Sequence, residues 1–457
     1  MNLLLLLAAL LPWAASPAAA FTRTFLVVSL LSVEMQLVTL SGIGTLHTLP
    51  LVNLVLAALL IGWQLRAGAP FAGSGWLPAL RPPAPWPAVA ALGVVVLVLN
   101  SWLPLRAADP YHLDRVAQIE RLGTVGHDPA AEPKVNILGW VYELVLADVR
   151  QIPVIGSALL KMHGLFGLLL YSLTIAAVYT LLRPPSSRWP VMALFLVPPV
   201  FHQLVLIKND LFVAAPALVA LVWLVTRTNS ASWKEAVWAG WLIGLVAGYK
   251  VTNLPLAVIM VGGIIAARRG RDWRLLGGLI LGGLVGAVAS GLPLTLWENL
   301  RWYGDALARG PVAEMETTAS SIAEAAESVA RFGISLVDLG VLTPVLWPGR
   351  GGWGGTFGLP FIWAATVLLL HCRQAREARW ALSVAAAYFL SFAAMFPAAD
   401  LSHRIALAPA LLVIAVAISL AEGGEKYSMW ARTALVPVLV LSSAQLLRSA
   451  VLYLARG

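Results

Sequence analysis

The sequence is poor in cysteine and contains only Cys372 among its 457 residues. A single cysteine excludes an intrachain disulfide and any cluster of thiolate ligands. Charged side chains are also scarce, at 12% of the residues against 60% that are hydrophobic. With a mean hydropathy of +0.82, a chain of this length cannot bury its apolar surface in one soluble core. The composition therefore predicts a protein that crosses a lipid bilayer.

Several motifs of nucleotide and metal chemistry are missing. The sequence has no P-loop, no GxGxxG that follows a strand pattern, no GxSxG elbow, no HExxH and no CxxC. A cytosolic nucleotide-driven mechanism is therefore unsupported. A formal net charge of +9 would suggest nucleic acid in a soluble domain. Here many arginines occupy short loops between apolar segments, where they set topology, so no nucleic-acid partner is expected.

Apolar segments recur along the whole chain and predict its fold class. They predict an all-α polytopic integral membrane protein of about 12–14 transmembrane helices, with two long extracytoplasmic loops that contain short helices. The first segment, MNLLLLLAALLPWAASPAAA, has the apolar run of a signal peptide but lacks its basic start, so we interpret it as a membrane helix rather than a cleaved signal. The segments lie near residues 2–20, 25–44, 48–65, 87–104, 155–182, 189–206, 210–226, 235–249, 251–267, 275–296, 356–371, 379–397, 404–421 and 430–454.

The basic residues of the short loops predict the orientation of these segments. Under strict alternation they fall on one side, which the positive-inside rule makes the cytoplasm. The opposite side receives the two long loops, 105–153 and 297–355, and the second of these includes a predicted surface helix at 312–331. The residues that set this orientation are Arg66, Arg81, Arg183, Arg188, Arg227, Lys234, the run RRGRDWR at 268–274, Arg373, Arg376 and Arg379.

Polar residues of the first long loop are candidates for acid–base chemistry. In ADPYHLDRV, Asp109 comes just before a predicted helix that starts with Pro110. Asp109 is either the N-cap of that helix or a base that deprotonates an acceptor hydroxyl, and the two roles can coexist. His112 is a metal ligand, a hydrogen-bond donor to a phosphate or a buried structural histidine. Asp114 is either a site-lining acid or a solvated loop charge.

Cations at the ends of apolar segments are candidates for binding an anion. Lys208, Lys250 and Arg404 lie on the predicted extracytoplasmic face, where ionisable groups beside the bilayer face a cavity or a partner. Three cations there suit a phosphate or diphosphate on a lipid carrier. The alternative is that each side chain snorkels to ordinary phospholipid. Asp210 follows Lys208 and Asn209 in the KND turn. The alternative role of Asn209 or Asp210 there is to cap the start of a helix.

The order of these short motifs resembles a known superfamily. DPYHLDRV, KNDLFVA, AGYKVTNLPL, ENLRWYGDALARGP and SHRIALAPAL follow one another as in the GT-C polytopic glycosyltransferases. The sequence is most similar to bacterial members of the protein mannosyltransferase and aminoarabinose transferase type. The resemblance covers roughly residues 88–421.

This resemblance implies an inverting transfer of a sugar from a polyprenyl-phosphate donor to an acceptor at the extracytoplasmic face. It assigns catalytic roles to Asp109 as the base and to Asp210 as an acid that shapes the site. Lys208, Lys250 and Arg404 would bind the donor phosphate. Further candidates for lining the site are His112, Asp114, Asn209 and His403. No cofactor is expected to be required, although some members use a divalent metal such as Mg or Mn.

The expected partners are the lipid-linked donor, membrane lipids and a protein, lipid or polysaccharide acceptor. Heavy use of alanine and arginine with little lysine is typical of a GC-rich bacterium, so the expected location is the bacterial cytoplasmic membrane. The implied regions are N-terminal transmembrane helices at 1–87, a core with the first loop at 88–296, the second loop at 297–355 and C-terminal transmembrane helices at 356–457.

Two other classes of function remain open from the sequence alone. A flippase or transporter for a lipid-linked sugar would also have many spans and buried charges. Transporters usually place those charges near the bilayer midplane, whereas here they gather at one face. A scaffold without catalytic activity is the second alternative, and it predicts that the substitution Asp109→Asn is tolerated.

Overall fold

The computed structural model is helical throughout the part that it describes, and no strand occurs there. The described residues are 1–67, 84–103, 110–137, 139–182, 185, 187–227, 232–250, 253–268, 273–308, 322–324, 326–327, 329–330, 357–395, 407–422 and 428–456. The helices are α1 (Asn2–Leu10), α2 (Pro17–Ser41), α3 (Leu49–Arg66), α4 (Trp86–Trp102), α5 (Pro110–Leu122), α6 (Pro133–Ile137), α7 (Val141–Arg150), α8 (Gly156–Lys161), α9 (His163–Leu181), α10 (Met192–Phe195), α11 (Pro198–Val205), α12 (Asp210–Arg227), α13 (Trp233–Tyr249), α14 (Leu254–Arg268), α15 (Trp273–Ala289), α16 (Leu292–Tyr303), α17 (Gly358–His371), α18 (Arg376–Met395), α19 (Leu407–Ala421) and α20 (Ser428–Arg456).

The predicted fold class, an all-α polytopic membrane protein, is confirmed. Within the described ranges, five helices are long and apolar enough to cross a membrane, namely α2, α3, α9, α12 and α20. The bent pair α15 and α16 is either a sixth, broken span or a re-entrant loop. Several shorter apolar helices accompany them, including α4, α14, α17 and α19. Of the long helices, α12 is the most enclosed, while α3 and α20 are largely exposed. The total of about 12–14 spans stays a prediction.

Proline or a left-handed glycine interrupts three of the predicted segments. The first, at 2–20, is divided, because α1 passes into a 3-10 turn and α2 begins after the N-cap Ser16, with Pro17 at its first position. The segment at 189–206 is interrupted before α11, whose first two residues are prolines. The segment at 275–296 bends by 58° between α15 and α16. Proline and left-handed glycine explain these breaks, since neither continues a straight helix.

One end of the helix bundle is covered by the first long loop, whose helices are α5, α6 and α7. Thr39, near the end of α2, accepts a hydrogen bond at 3.2 Å from the backbone of Val125. Gly139 packs directly on the backbone carbonyl of Tyr249, the last residue of α13. Trp140 packs against Gly291, at the bend after α15. The first loop therefore sits on the C-terminal ends of α2, α13 and α15, and we call this end of the bundle the loop end.

Helices α13 and α15 pack backbone to backbone, because glycines line both contact faces. A β-carbon at Gly244 would lie 2.2 Å from the carbonyl oxygen of Gly283, and one at Gly282 would lie 2.0 Å from that of Val237. Small residues at every fourth position let two membrane helices approach backbone to backbone. The close contact fixes the depth at which α13 ends and therefore where Lys250, its C-cap, is placed.

The predicted helix at 312–331 is described only in part. Residues 322–324, 326–327 and 329–330 are helical, and the remainder of that prediction lies outside the described residues.

Candidate active site

A buried ion pair lies at the loop end of the central helix α12. Lys250 places its Nζ 2.5 Å from Oδ1 of Asp210, the first residue of α12. Gln203 on α11 donates from Nε2 to the other carboxylate oxygen of Asp210 at 2.9 Å. The lysine side chain is 10% exposed and the aspartate side chain 2%. Because both carboxylate oxygens accept a hydrogen bond, the ammonium group is held in one position.

The turn before α12 explains why Asp210 can stay charged at a buried position. The carboxylate stands in the first turn of the helix, where the positive end of the helix dipole stabilises a negative charge. Asn209 is also buried, and its Oδ1 has no hydrogen-bond partner within the described residues. Lys208 precedes them and is partly exposed. The KND turn thus presents two polar groups inward and a lysine near the surface.

A narrow crevice, too tight to hold a water molecule in this structure, lies beside Asp210. Its polar wall is formed by Asp210 and Asn253, and Asn253 Oδ1 accepts from the hydroxyl of Tyr388 at 3.3 Å. Small and apolar side chains from three helices form the rest of the wall. These side chains belong to Val213, Ala214, Ala217, Leu256 and Ala408. The crevice thus lies between membrane helices, with Asp210 and Asn253 at its polar end.

The first loop contributes a second buried pair of ionisable groups. His112 on α5 contacts Glu143 on α7 through Nδ1 and Oε1, and the two side chains are 0% and 2% exposed. His112 Nε2 and Glu143 Oε2 are buried and have no hydrogen-bond partner in the described part of the chain. We call this pair the His–Glu dyad.

An aromatic layer connects the His–Glu dyad with the ion pair of α12. Tyr142 meets the His112 ring edge-on at 5.9 Å and the Phe212 ring at 5.6 Å. Phe212 in turn packs on Tyr249, next to Lys250 in the chain, at 4.9 Å. Burial raises the pKa of the Tyr142 phenol, and the negative charges of Glu143 and Asp210 raise it further. Both carboxylates therefore act on one phenol, and the two buried pairs belong to one site.

Beneath the dyad, a buried arginine organises the first loop. Arg115 donates to the backbone carbonyl of Val125 at 2.8 Å and to that of Gly126 at 3.3 Å. Gln118 donates to Asn136 Oδ1 at 2.8 Å, and that same amide oxygen lies 3.5 Å from Arg115. Burial lowers the pKa of Arg115 to about 10, so the guanidinium still carries its charge at neutral pH. The backbone carbonyl groups that bind this guanidinium belong to the loop between α5 and α6.

Helix α16 closes this cluster from the other side. Glu298 accepts from the backbone of His127 at 3.2 Å and from the indole of Trp302 at 3.1 Å. The negative charges of Glu143 and Glu298 both act on Arg115. Burial and the charge of Arg115 lower the pKa of His127 to about 4, so this imidazole is neutral at pH 7. The ENLRWY motif is therefore joined to the first loop through Glu298.

The structure brings some of the predicted site residues together. Asp210, Lys250 and Asn209 are buried at the loop end, and His112 lies across the aromatic layer from them. Asp114 is exposed, whereas His112 and Arg115 on the same helix are buried. Asp109, His403 and Arg404 lie outside the described residues. The roles that we predicted for all of these residues stay predictions.

Sequence reasoning missed five polar residues that complete the site. These are Gln203, Glu143, Arg115, Glu298 and Asn253. Arg115, Glu298 and Asn253 are inside motifs that carry the resemblance, so their polar side chains could have been recognised as candidates from the sequence. Gln203 and Glu143 lie in stretches without any motif, and only the folded chain places them beside Asp210 and His112.

The described residues contain no group of three or more histidine, cysteine, aspartate or glutamate side chains that could hold a metal ion. The two carboxylates nearest the aromatic layer each have a cation or an imidazole as partner. Metal dependence therefore stays a prediction, as does the expectation that no cofactor is required.

Comparison with known proteins identifies the class of this site. The model of glycosyltransferase family 87 matches residues 152–397, which is more than half of the chain. No curated protein and no solved structure matches. The matched region contains Gln203, Asp210, Lys250 and Glu298, while the His–Glu dyad precedes it. The resemblance to the GT-C superfamily is confirmed, and the chain belongs to glycosyltransferase family 87, a GT-C-like family of membrane glycosyltransferases.

Proposed function

We propose that this glycosyltransferase moves a sugar from a polyprenyl-phosphate donor to an acceptor at the extracytoplasmic face of the bacterial cytoplasmic membrane. The observation that supports the proposal is the buried ion pair of Lys250 and Asp210 at the loop end, where the apolar membrane helices α12 and α13 meet polar loops. A lipid-linked phosphate has a charged head and an apolar tail, so it suits a cation at the end of membrane helices.

The charge distribution of the helices supports the proposed side of the membrane. Asp210 and Lys250 lie at the loop end, whereas Arg227, Lys234 and Arg274 lie at the opposite ends of α12, α13 and α15. Basic residues concentrate on the cytoplasmic side of membrane proteins. The loop end is then extracytoplasmic, where a lipid-linked donor is usable and nucleotides are not supplied.

The proposed reaction needs one base and several donors to the leaving phosphate. Asp109 takes the proton of the acceptor hydroxyl, whose oxygen forms a bond to the anomeric carbon and inverts it. The bond from that carbon to the phosphate oxygen breaks, and its electron pair stays on the phosphate. Lys250, together with Lys208 and Arg404, stabilises this charge. Asp210 holds Lys250 in place with a carboxylate that also accepts a hydrogen bond from Gln203.

The experiment that tests the proposal is sugar transfer in proteoliposomes with radiolabelled polyprenyl-phosphate mannose, glucose and arabinose. We expect Asp109→Asn to lower the transfer rate at least about a hundredfold while donor binding is retained, since it removes the base and keeps the side-chain shape. The matched control is Glu132→Gln, which changes an exposed carboxylate of the first loop and should leave the rate unchanged.

The outcomes separate the competing functions. If wild type transfers none of the three sugars but moves the lipid-linked donors between leaflets, the protein is a flippase and the proposal is wrong. If Asp109→Asn transfers sugar at the rate of wild type, Asp109 is a helix cap and another group is the base. A parallel assay with a chelator decides whether transfer requires a divalent metal.

A further inference from the structure

The turn between α7 and α8 presents apolar side chains to its surroundings. Val154 is 102% exposed and Ile155 is 50% exposed, and Pro153 before them is exposed as well. A single exposed apolar residue is ordinary in a protein surface. Three in succession at a fully exposed turn form a contiguous apolar patch, which is typical of a contact surface. We call these three residues the apolar tip.

The backbone of the apolar tip has a strained conformation. The N–H of Ile155 donates to the carbonyl oxygen of Pro153 at 2.8 Å, which closes a three-residue turn around Val154. Val154 has a φ of 69°, which β-branched residues rarely adopt. Gly156 fixes the shape of the turn, because a β-carbon there would lie 2.0 Å from the carbonyl oxygen of Arg150. Glycine would relieve the strain at position 154, so the exposed valine needs another reason.

The depth of the apolar tip follows from the membrane helix that comes after it. Helix α9 begins at His163, and the N–H of Gly164 donates to Oδ1 of Asn100 at 3.1 Å. Asn100 is near the end of α4, whose last residue, Trp102, is 60% exposed. Tryptophan concentrates at the membrane–water interface, so this level marks the bilayer boundary at the loop end. The intervening helix α8 is only about 9 Å long, which keeps the tip near that level.

A cation on α8 fits the same level. Lys161 is exposed in the last turn of α8, between the apolar tip and α9. A lysine at the interface lays its apolar stem along the lipid and places its ammonium group among the headgroup phosphates. Apolar side chains close to such a cation are the pattern of a segment that lies in the membrane interface.

We propose that the apolar tip inserts into the lipid leaflet at the loop end and anchors the first loop to the membrane surface. Lipid is the expected occupant because the tip is continuous with α9, a helix that is itself long and apolar enough to cross the membrane. Helix α7 ends at Arg150, shortly before the tip. The anchor therefore holds α7, with Tyr142 and Glu143, at the level of the lipid headgroups.

The test places a fluorescent label on the tip of the reconstituted protein. Cys372 is the one cysteine of the chain, so Cys372→Ser provides a background in which a new cysteine is labelled alone. Val154→Cys carries a nitrobenzoxadiazole dye in vesicles of phosphatidylethanolamine and phosphatidylglycerol. The matched control is Ala130→Cys, at an exposed position elsewhere in the first loop. The two quenchers are iodide in the water and a doxyl group just below the headgroup of a labelled lipid.

We expect the lipid-borne quencher to act at least about twofold more strongly on the label at position 154 than on the label at position 130. Iodide should show the opposite order. A second label, on Ile155→Cys, reports whether insertion depends on the apolar side chain. In that protein Val154→Asp should move the label into water, since aspartate adopts a positive φ more readily than valine but its charge is excluded from lipid.

Three outcomes would overturn the inference. If iodide quenches the labels at positions 154 and 130 equally and the lipid-borne quencher reaches neither, the tip lies in water. If the label at position 154 is shielded from both quenchers, a second copy of the chain or another protein covers the tip. If Val154→Asp leaves the label at position 155 in lipid, insertion does not depend on the apolar tip. None of these measurements involves sugar transfer, so their result is independent of the proposed function.

Discussion

Lys250→Met is expected to lower the free energy of unfolding by about 3–5 kcal/mol and to abolish sugar transfer. The substitution removes the ammonium partner of the buried Asp210 carboxylate, and a buried charge without its counter-charge is far more costly than a buried pair. Transfer is lost for a separate reason, because the leaving phosphate loses a nearby cation. Chemical denaturation of the detergent-solubilised protein and the proteoliposome assay measure the two effects.

The double variant Asp210→Asn with Lys250→Met separates these two effects. With both charges removed, most of the lost stability should return, since replacing both members of a buried pair is often neutral. Transfer should remain absent, because the cation is still missing. Lys234→Met is the matched control, because Lys234 is exposed at the other end of the same helix. A double variant with normal transfer would contradict a role for Lys250 in binding the donor phosphate.

The fold was predictable from sequence to the extent that the bilayer dictates it. Long apolar runs must form helices in lipid, because no water satisfies the backbone there. Most predicted segments therefore correspond to helices in the structure, and α12 starts at Asp210 as the segment 210–226 predicted. The breaks within the segments 2–20 and 275–296 were harder to predict, since apolarity continues through Pro17 and Gly291 while the backbone does not.

The sequence predicted on which face of the membrane the candidate site lies, but it did not predict which of its residues contact one another. Charges at helix ends marked the loop end, and Lys250 and Asp210 were both recognised there. Their pairing was not foreseen, because the resemblance gave them separate roles and the sequence does not show that α12 and α13 bring these ends together. Glu143 was missed for a similar reason, since its partner His112 lies 31 positions away in the chain. Only the tertiary structure shows that Lys250 contacts Asp210 and that Glu143 contacts His112.

The close contact between α13 and α15 carries the other large prediction. Gly282→Ala is expected to prevent the native packing of these helices, although alanine is the better helix former by about 1 kcal/mol. The added β-carbon would lie 2.0 Å from the carbonyl oxygen of Val237, a backbone atom that cannot move without its helix. The cost should exceed the roughly 1–3 kcal/mol of ordinary overpacking in a core. Because α13 ends at Lys250 and α15 leads to Glu298, transfer should fall with stability.

Gly283→Ala is the matched control, because it makes the same chemical change one residue further along the same helix. A β-carbon at Gly283 would meet its nearest neighbour, the carbonyl oxygen of Gly240, at 3.8 Å, which is ordinary van der Waals contact. This variant should be as stable as wild type or slightly more stable, since only the helix propensity changes. Thermal unfolding of both variants in nanodiscs measures the difference. Equal melting temperatures would show that the two helices do not meet along this face, and the placement of Lys250 by α13 would then need another explanation.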